Sequence, residues 1–258
     1  MIVLGFDTAT RATAVALRLG DGETLSRRDD PGPGEHPGHA TRLLAMAGEL
    51  LRGAAVGWSA VERIAVGLGP GTFTGLRVGV ATARGLAQSL SAELVGVSSL
   101  GALAEAALQD PVVAAEAFGG GVLAVVDARR KEVFAAAYGR GDRGSADELM
   151  PAVALAPHEI GSLIERACRA EEQAGRAGRR WLAVGDGAVR YRDHLQRAGA
   201  DVPEDSSRLH LIDAATICRL GLDAPAVAAY EEILPDYRRR PDAELALEAL
   251  AVHGSSAR

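Results

Sequence analysis

The first hundred residues alternate between strand-like and helix-like segments, and the order of these segments restricts the possible folds more than any other feature of the sequence. Apolar runs at 2–6, 13–19 and 63–68 are short enough to be strands, whereas 39–53 and about 73–90 carry apolar side chains at helical spacing. A chain that begins with a strand meander and then alternates helices with strands predicts an α/β protein with mixed sheets flanked by helices.

The second half of the sequence also mixes strands and helices, and it begins with a hairpin. The apolar run 122–128 is followed by an Arg-Arg-Lys turn at 129–131 and a second strand-like run at 132–139. The polar residues 140–150 predict a loop, and a helix is expected at about 157–175. We therefore expect a second sheet in this half of the chain.

Charge and composition narrow the classes of function. The chain has 28 basic and 34 acidic residues, a formal charge of −6, which argues against a large nucleic-acid footprint on this chain alone. Its first residues carry no basic region and no long apolar run, so no signal peptide is predicted, and no apolar stretch reaches the roughly 18 residues of a membrane span. Cys168 and Cys218 show no metal-binding or redox spacing, as expected for reduced thiols in a cytosolic protein.

Two segments could form a phosphate or magnesium site in a cleft. A glycine-rich loop, GPGTFTG, leads into the helix at 73–90, and the amides at a helix start attract anions. An acidic residue followed by hydroxyl residues ends the first strand. Each segment has an equally simple structural explanation, as a tight turn with a helix cap or a satisfied turn, and both explanations stay open. The candidate residues are Asp7, Thr8, Thr10, Gly69, Gly71 and Thr72.

The sequence predicts neither a metal site nor a catalytic residue. His36 and His39 lie three residues apart, but no acidic, His or Cys cluster with ligand spacing accompanies them. The remaining histidines are scattered, and no Gly-x-Ser-x-Gly motif occurs.

Several stretches, taken in order, resemble the TsaB family, also called YeaZ. They are FDTAT (6–10), HATRLL (39–44), IAVGLGPGTFTGLRVGVATARGLA (64–87), GVSSLGALAE (96–105), VVDARRKEVFAAAY (125–138), VGDGAVRY (184–191) and PDYRRRPDAE (235–244). The resemblance covers most of the chain, and the block 64–87 is far more specific than a short motif.

This resemblance implies an actin/Hsp70/sugar-kinase-like fold with two lobes. The first lobe is expected at 1–105, with a late helix at about 208–222 packing back on it. A smaller second lobe is expected at 106–207, and a C-terminal tail at 223–258 that ends in a helix at 242–252.

The resemblance also implies a function in tRNA modification. The family acts in forming N6-threonylcarbamoyladenosine at position 37 of tRNAs that read ANN codons. TsaD, a paralogue of TsaB, transfers the threonylcarbamoyl group, TsaE is an ATPase, and TsaB binds TsaD and makes it competent. The implied partners are thus TsaD directly, TsaE, and tRNA through the complex, in the cytoplasm and without a membrane. A homodimer of the isolated chain is also compatible with the resemblance.

Departures from the catalytic paralogue imply that this chain is not itself an enzyme. Ser99 and Leu103 stand where TsaD-like proteins carry a metal-binding His-x-x-x-His pair, and Ala9 replaces the glycine of the first phosphate loop. Arg129 and Arg130 stand where the second loop would be glycine-rich. We expect no cofactor of this chain's own, while ATP or ADP at the interface of an assembled complex stays open. The alternative is a stand-alone ATP-binding phosphotransferase, or a peptidase-like enzyme, of the same superfamily.

The family resemblance places the partner interface on the helices 39–53 and 73–90, packed as a four-helix bundle with those of TsaD. The expected contact residues are His39, Leu43, Leu44, Ala47, Leu50, Phe73, Thr74, Gly75, Arg77, Val78, Gly79 and Thr82. We expect Gly79→Leu to abolish the heterodimer while the monomer stays folded. Which face of each helix meets the partner stays open, as does tRNA contact by residues 129–131 or by Arg238, Arg239 and Arg240.

Overall fold

The first sheet contains five strands and is described by a computed structural model that covers residues 1–32, 34–115, 121–141, 144–173 and 180–238. Its strands are β1 (Val3–Asp7), β2 (Thr13–Arg18), β3 (Thr24–Asp29), β4 (Arg63–Gly67) and β5 (Glu93–Val97). Their order is β3-β2-β1-β4-β5, in which the first three strands are antiparallel and β4 and β5 run parallel to β1.

Helices cover both faces of this sheet, which explains why every residue of β1 is buried. The helices α1 (His39–Gly53) and α2 (Phe73–Leu90) pack on the face that carries Leu4 and Phe6. The helix α8 (Ala214–Asp223) packs on the opposite face, where a Cβ at Gly5 would lie 2.6 Å from the Sγ of Cys218. The late helix therefore completes the core of the first lobe.

The second sheet repeats the arrangement of the first. Its strands are β6 (Gly121–Arg129), β7 (Glu132–Arg140), β8 (Ala146–Leu155), β9 (Trp181–Val184) and β10 (Ala200–Asp201). Their order is β10-β9-β6-β7-β8, again with an antiparallel meander and two parallel strands. Two lobes built on one plan confirm the actin/Hsp70/sugar-kinase-like fold.

The remaining helices connect or cover the second sheet. They are α3 (Ser99–Leu108), α4 (Pro111–Ala115), α5 (Ile160–Gln173), α6 (Asp186–Arg190) and α7 (Arg192–Arg197). The helix α3 lies between the lobes, because Leu100 and Leu103 pack against the second sheet while Ala102 packs with the first. Among the described residues, none of the helices combines the length and apolar character needed to span a membrane.

Three segments differ from the sequence-based expectation. Residues 146–150, expected in a loop, belong to the edge strand β8, whose pattern is mostly half-exposed and lacks the apolar alternation of the central strands. The helix expected at 208–222 begins only at Ala214, because 208–210 form a separate 3-10 turn. The helix expected at 242–252 lies outside the described residues.

Candidate functional site

The carboxylate of Asp7, at the end of β1, is enclosed by the chain itself. Only 2% of this residue is exposed. The amide of Ala9 donates to its Oδ1 at 2.8 Å, and the hydroxyl of Ser99 donates to its Oδ2 at 2.5 Å. A Cβ at Gly67 would collide with Oδ2, so the backbone of β4 also closes over the group. Burial raises the pKa of Asp7 above its ordinary value, although both hydrogen bonds and the charge of Arg28 act in the opposite direction.

The glycine-rich loop packs tightly against the turn that follows β1. The amide of Thr72 donates to the carbonyl of Ala9 at 2.7 Å, and a Cβ at Gly71 would come within 2.6 Å of the Ala9 Cβ. The hydroxyl of Thr8 donates to the Gly75 carbonyl at 2.8 Å. The glycines therefore permit a close backbone approach inside the first lobe. Gly69, which begins this loop, has a positive φ of 98°.

The corresponding turn of the second lobe is filled by charged side chains. Arg129, Arg130 and Lys131 all have positive φ, between 50° and 65°, in a turn where glycine would be unstrained. Guanidinium groups of Arg129 and Arg190 lie 3.2 and 3.3 Å from Oδ2 of Asp127. The acidic group of this turn is thus neutralised within the chain.

A smaller part of the cleft between the lobes stays open. It has a volume of about 370 Å³ and is lined by Thr10, Arg11, Arg28, Asp186 and His210, among others. Asp186 accepts a hydrogen bond from the Asp127 amide at 3.0 Å, and burial raises its pKa. Of the six residues expected to form a phosphate site, Thr10 lines this space, whereas the Asp7 and Thr8 side chains are used inside the fold.

Ser99 and Leu103, at the positions of the metal-binding histidines of TsaD-like proteins, are both fully buried. Ser99 binds Asp7, and Leu103 packs in the core between α3 and the second sheet. Across the described ranges, no cluster of three or more His, Cys, Asp or Glu side chains has a geometry that could hold a metal ion.

The helices α1 and α2 present a continuous outer surface that no part of the described chain covers, and we call its residues the helix-pair face. Leu44 is its large apolar member and is 47% exposed. Most other members are small or polar. The helix-pair face comprises Ala40, Thr41, Leu44, Ala45, Glu49 and Arg52 from α1, and Thr74, Arg77, Ala81, Gly85, Gln88 and Ser89 from α2.

The residues expected at the partner interface divide between this face and the core. Leu44, Thr74 and Arg77 are exposed. Phe73, Val78 and Thr82 are half-buried. His39, Leu43, Ala47, Leu50, Gly75 and Gly79 are buried inside the chain. The hydrophobic stripe of each helix therefore faces the chain's own sheet.

The expectation for Gly79→Leu is wrong in its assumption that the monomer would stay folded. A Cβ at Gly79 would collide with the Thr8 hydroxyl, so this glycine is required for packing within the first lobe. Ala81 and Gly85, which sequence reasoning missed, occupy the outer surface of the same helix. The signal that could have found them is a second stripe at helical spacing, made of small and polar residues.

The segment before residue 238 extends the surface at the start of α2. Tyr237 lies against Phe73 with ring centroids 5.1 Å apart, and the Arg77 guanidinium lies 3.8 Å from the Phe73 centroid. The Asp236 amide donates to the Leu68 carbonyl at 2.8 Å, which holds this segment on the first lobe. Arg238 pairs with Asp236 at 2.6 Å, whereas Arg239 and Arg240 lie outside the described residues.

Comparisons of sequence agree on one family. Residues 35–163, half of the chain, match the family model described as TsaD: tRNA N6-adenosine threonylcarbamoyltransferase. The chain is 36% identical over 144 residues to the tRNA threonylcarbamoyladenosine biosynthesis protein TsaB of Escherichia coli, covering 56% of this chain and 58% of that protein. It is 36% identical over 138 residues to TsaB of Haemophilus influenzae, covering 52% of each. The matched region spans about half the length of these curated relatives.

A solved structure extends the likeness over nearly the whole chain. YeaZ from Pseudomonas aeruginosa is 30% identical, with a TM-score of 0.69, over 91% of this chain and 100% of that one. The sequence relatives and this structural neighbour carry the two names of one family. A family model named for the paralogue TsaD, covering half of the chain, is consistent with them. The chain belongs to the TsaB (YeaZ) family.

Proposed function

We propose that this chain is a non-catalytic partner subunit that binds and activates TsaD. The complex would form N6-threonylcarbamoyladenosine at position 37 of tRNAs that read ANN codons. The observation that carries the proposal is the state of Asp7. Its two oxygens are used by Ala9 and Ser99, and the backbone of β4 closes over it. A carboxylate enclosed in this way is not available to a magnesium ion or a phosphate in the cleft.

The surface that would meet TsaD is the helix-pair face. Its small residues, Ala40, Ala45, Ala81 and Gly85, let a second helix pair approach closely, and Leu44 supplies an apolar anchor. The adjoining cluster of Phe73, Arg77 and Tyr237 is rich in the residue types that dominate binding energy at interfaces. The same face would support a homodimer of the isolated chain, with the heterodimer replacing it.

The rest of the assembly follows from the family. TsaE would join the complex of this chain with TsaD, in the cytoplasm, and tRNA would be held mainly by the other subunits because this chain carries a net charge of −6. ATP or ADP would bind, if at all, at the interface of the assembled complex. The alternative, a stand-alone phosphotransferase or peptidase-like enzyme, would need catalytic groups in the cleft, where Asp7 and Asp127 are both already paired.

Reconstitution tests the proposal directly. The chain is purified with TsaD of the same organism and combined with TsaE, the synthase that forms the threonylcarbamoyl adenylate, and unmodified tRNA. We expect a heterodimer at micromolar concentration, and loss of tRNA modification when only this chain is omitted. Full modification without the chain, or no complex with TsaD, would overturn the proposal. Turnover of magnesium-ATP by the chain alone would favour the phosphotransferase instead.

A further inference from the structure

A cavity of about 600 Å³ lies where α1 and α2 both begin. It is lined by Arg11, the loop 34–37, His39, the first turn of α2 and Arg129. It is separate from the space around Thr10 and Asp186, with which it shares only Arg11. Neither the enclosed carboxylates nor the helix-pair face accounts for it.

The helix α2 begins at this cavity without compensation for its free amides. It is 18 residues long, so its N-terminus carries a substantial positive partial charge. Thr72 precedes the helix, yet its side chain makes no capping hydrogen bond within the described structure. No acidic residue occurs in the first turn. Such a terminus attracts an anion, although it does not by itself define a site.

The imidazole of His39 provides an independent indication of a ligand. His39 is only 4% exposed, and its Nδ1 lies 2.9 Å from the hydroxyl of Thr13. Its Nε2 is buried and has no hydrogen-bond partner among the described residues. Buried polar atoms in native proteins are nearly always paired, so this nitrogen calls for a partner that the chain does not supply.

The unpaired nitrogen and the uncapped helix converge on one point. A Cβ built on Gly75 would lie 3.2 Å from His39 Nε2 and 2.6 Å from the Thr72 hydroxyl. Both polar atoms therefore face the first turn of α2. If the Thr13 hydroxyl donates to Nδ1, the ring proton resides on Nε2, and Nε2 then adds a donor to the amides of the helix start.

The charge around the cavity also suits an anion. Arg11, from the first lobe, donates to the carbonyl of Glu35 at 2.7 Å and leaves its positive charge without a carboxylate partner in that contact. Arg129 reaches the cavity from the second lobe while bound to Asp127. The acidic lining residue, Glu35, already accepts a hydrogen bond from the Gly32 amide at 2.8 Å.

We propose that this cavity binds a small oxyanion of the phosphate class, held by the first-turn amides of α2, the Thr72 hydroxyl and His39 Nε2. The cavity is much larger than one phosphate ion, which occupies a volume comparable to a few waters. The phosphate is therefore best explained as the head group of an organic phosphate whose remainder lies along the loop 34–37. This site belongs to the isolated chain and does not depend on the partner proposed above.

Calorimetric titration of the purified chain with inorganic phosphate, at constant ionic strength and with chloride as reference, tests the site. We expect saturable binding of one phosphate per chain. Nitrogen NMR of the His39 ring should show the proton on Nε2 and a change in its signal on binding. A parallel titration with ribose 5-phosphate or adenosine monophosphate separates the sources. Tighter binding indicates an organic phosphate and equal binding indicates free phosphate, and both results support the site.

A matched pair of variants at Thr74 makes the test specific. Thr74 is exposed and lines the cavity, so both variants should fold. Thr74→Asp brings a carboxylate to the helix start, and we expect it to weaken phosphate binding at least tenfold. Thr74→Asn has nearly the same shape without the charge and should bind like the wild type. Absence of saturable binding at tens of millimolar phosphate, or equal affinities of Thr74→Asp and wild type, would overturn the proposal.

Discussion

The hydroxyl of Ser99 donates to Oδ2 of Asp7 at 2.5 Å and accepts from the amide of Gly69 at 3.0 Å. One side chain at the start of α3 thus joins the end of β1 to the glycine-rich loop. The network ties together three segments that are far apart in sequence, and its stability can be measured by removing a single oxygen atom.

Ser99→Ala should lower the free energy of unfolding by about 2 kcal/mol, because it leaves a buried carboxylate oxygen and a buried amide without their partner. Urea unfolding at neutral pH measures the change. Ser89→Ala, an exposed site on α2, is the matched control and should change the free energy by less than about 0.5 kcal/mol. Equal effects at both sites would show that the Ser99 hydroxyl contributes nothing to the fold.

The buried carboxyl of Asp7 should make stability depend on pH. Burial raises its folded-state pKa above the ordinary value of 3.8, so the folded state holds the proton more tightly than the unfolded state. The stability contributed by this group is therefore present below pH 3.8 and is lost as pH rises through the folded pKa.

Asp7→Asn should remove this dependence, because an amide does not titrate. We expect the free energy of unfolding of the variant, relative to the wild type, to increase as pH is raised from 4 to 7. Urea unfolding at several pH values measures the difference. A difference that does not change with pH, or that falls, would contradict the raised pKa.

Gly79 and Gly85 lie on the same helix and should respond in opposite ways to alanine. Gly79→Ala should destabilise the fold by about 1–3 kcal/mol, since the added methyl collides with Thr8. Gly85→Ala should stabilise it by about 0.5–1 kcal/mol, because a Cβ there meets no described atom within 4 Å and alanine favours the helix. Thermal unfolding of both variants checks the pair, and a tolerated Gly79→Ala would refute the close contact.

Leu44→Arg should weaken association with TsaD at least tenfold without affecting the fold, because Leu44 is exposed at the centre of the helix-pair face. The affinity is measured by titrating the variant against purified TsaD. Leu211→Arg is the control, since Leu211 is 37% exposed but lies in the cleft between the lobes. Equal affinity of Leu44→Arg and wild type would move the interface elsewhere.

The regular elements of the first lobe could be predicted from sequence because helical and strand periods are strong there. The helices α1 and α2 match their predicted ranges, 39–53 and 73–90. The edge strand β8 could not be predicted, because its residues are largely half-exposed and Pro151 interrupts the run.

The site was harder to predict than the fold. The apolar stripe of α1 showed which residues form the chain's own core, while the helix-pair face carries no comparable hydrophobic signal. The environment of Asp7 depends on Ser99, 92 positions away, and on the closeness of Gly67, and neither can be deduced from the local motif. Contacts between distant segments decided whether a motif-like carboxylate was open or enclosed.

The packing of Cys218 against Gly5 has a consequence for the order of events during synthesis. Since α8 covers one face of β1, the first lobe lacks part of its core until the ribosome has produced the whole second lobe. The strands β6 to β10 are contiguous in sequence and can pair as soon as they emerge. The N-terminal sheet would therefore wait, partly uncovered, and a chain truncated before residue 214 should be far more prone to aggregation than the full-length protein.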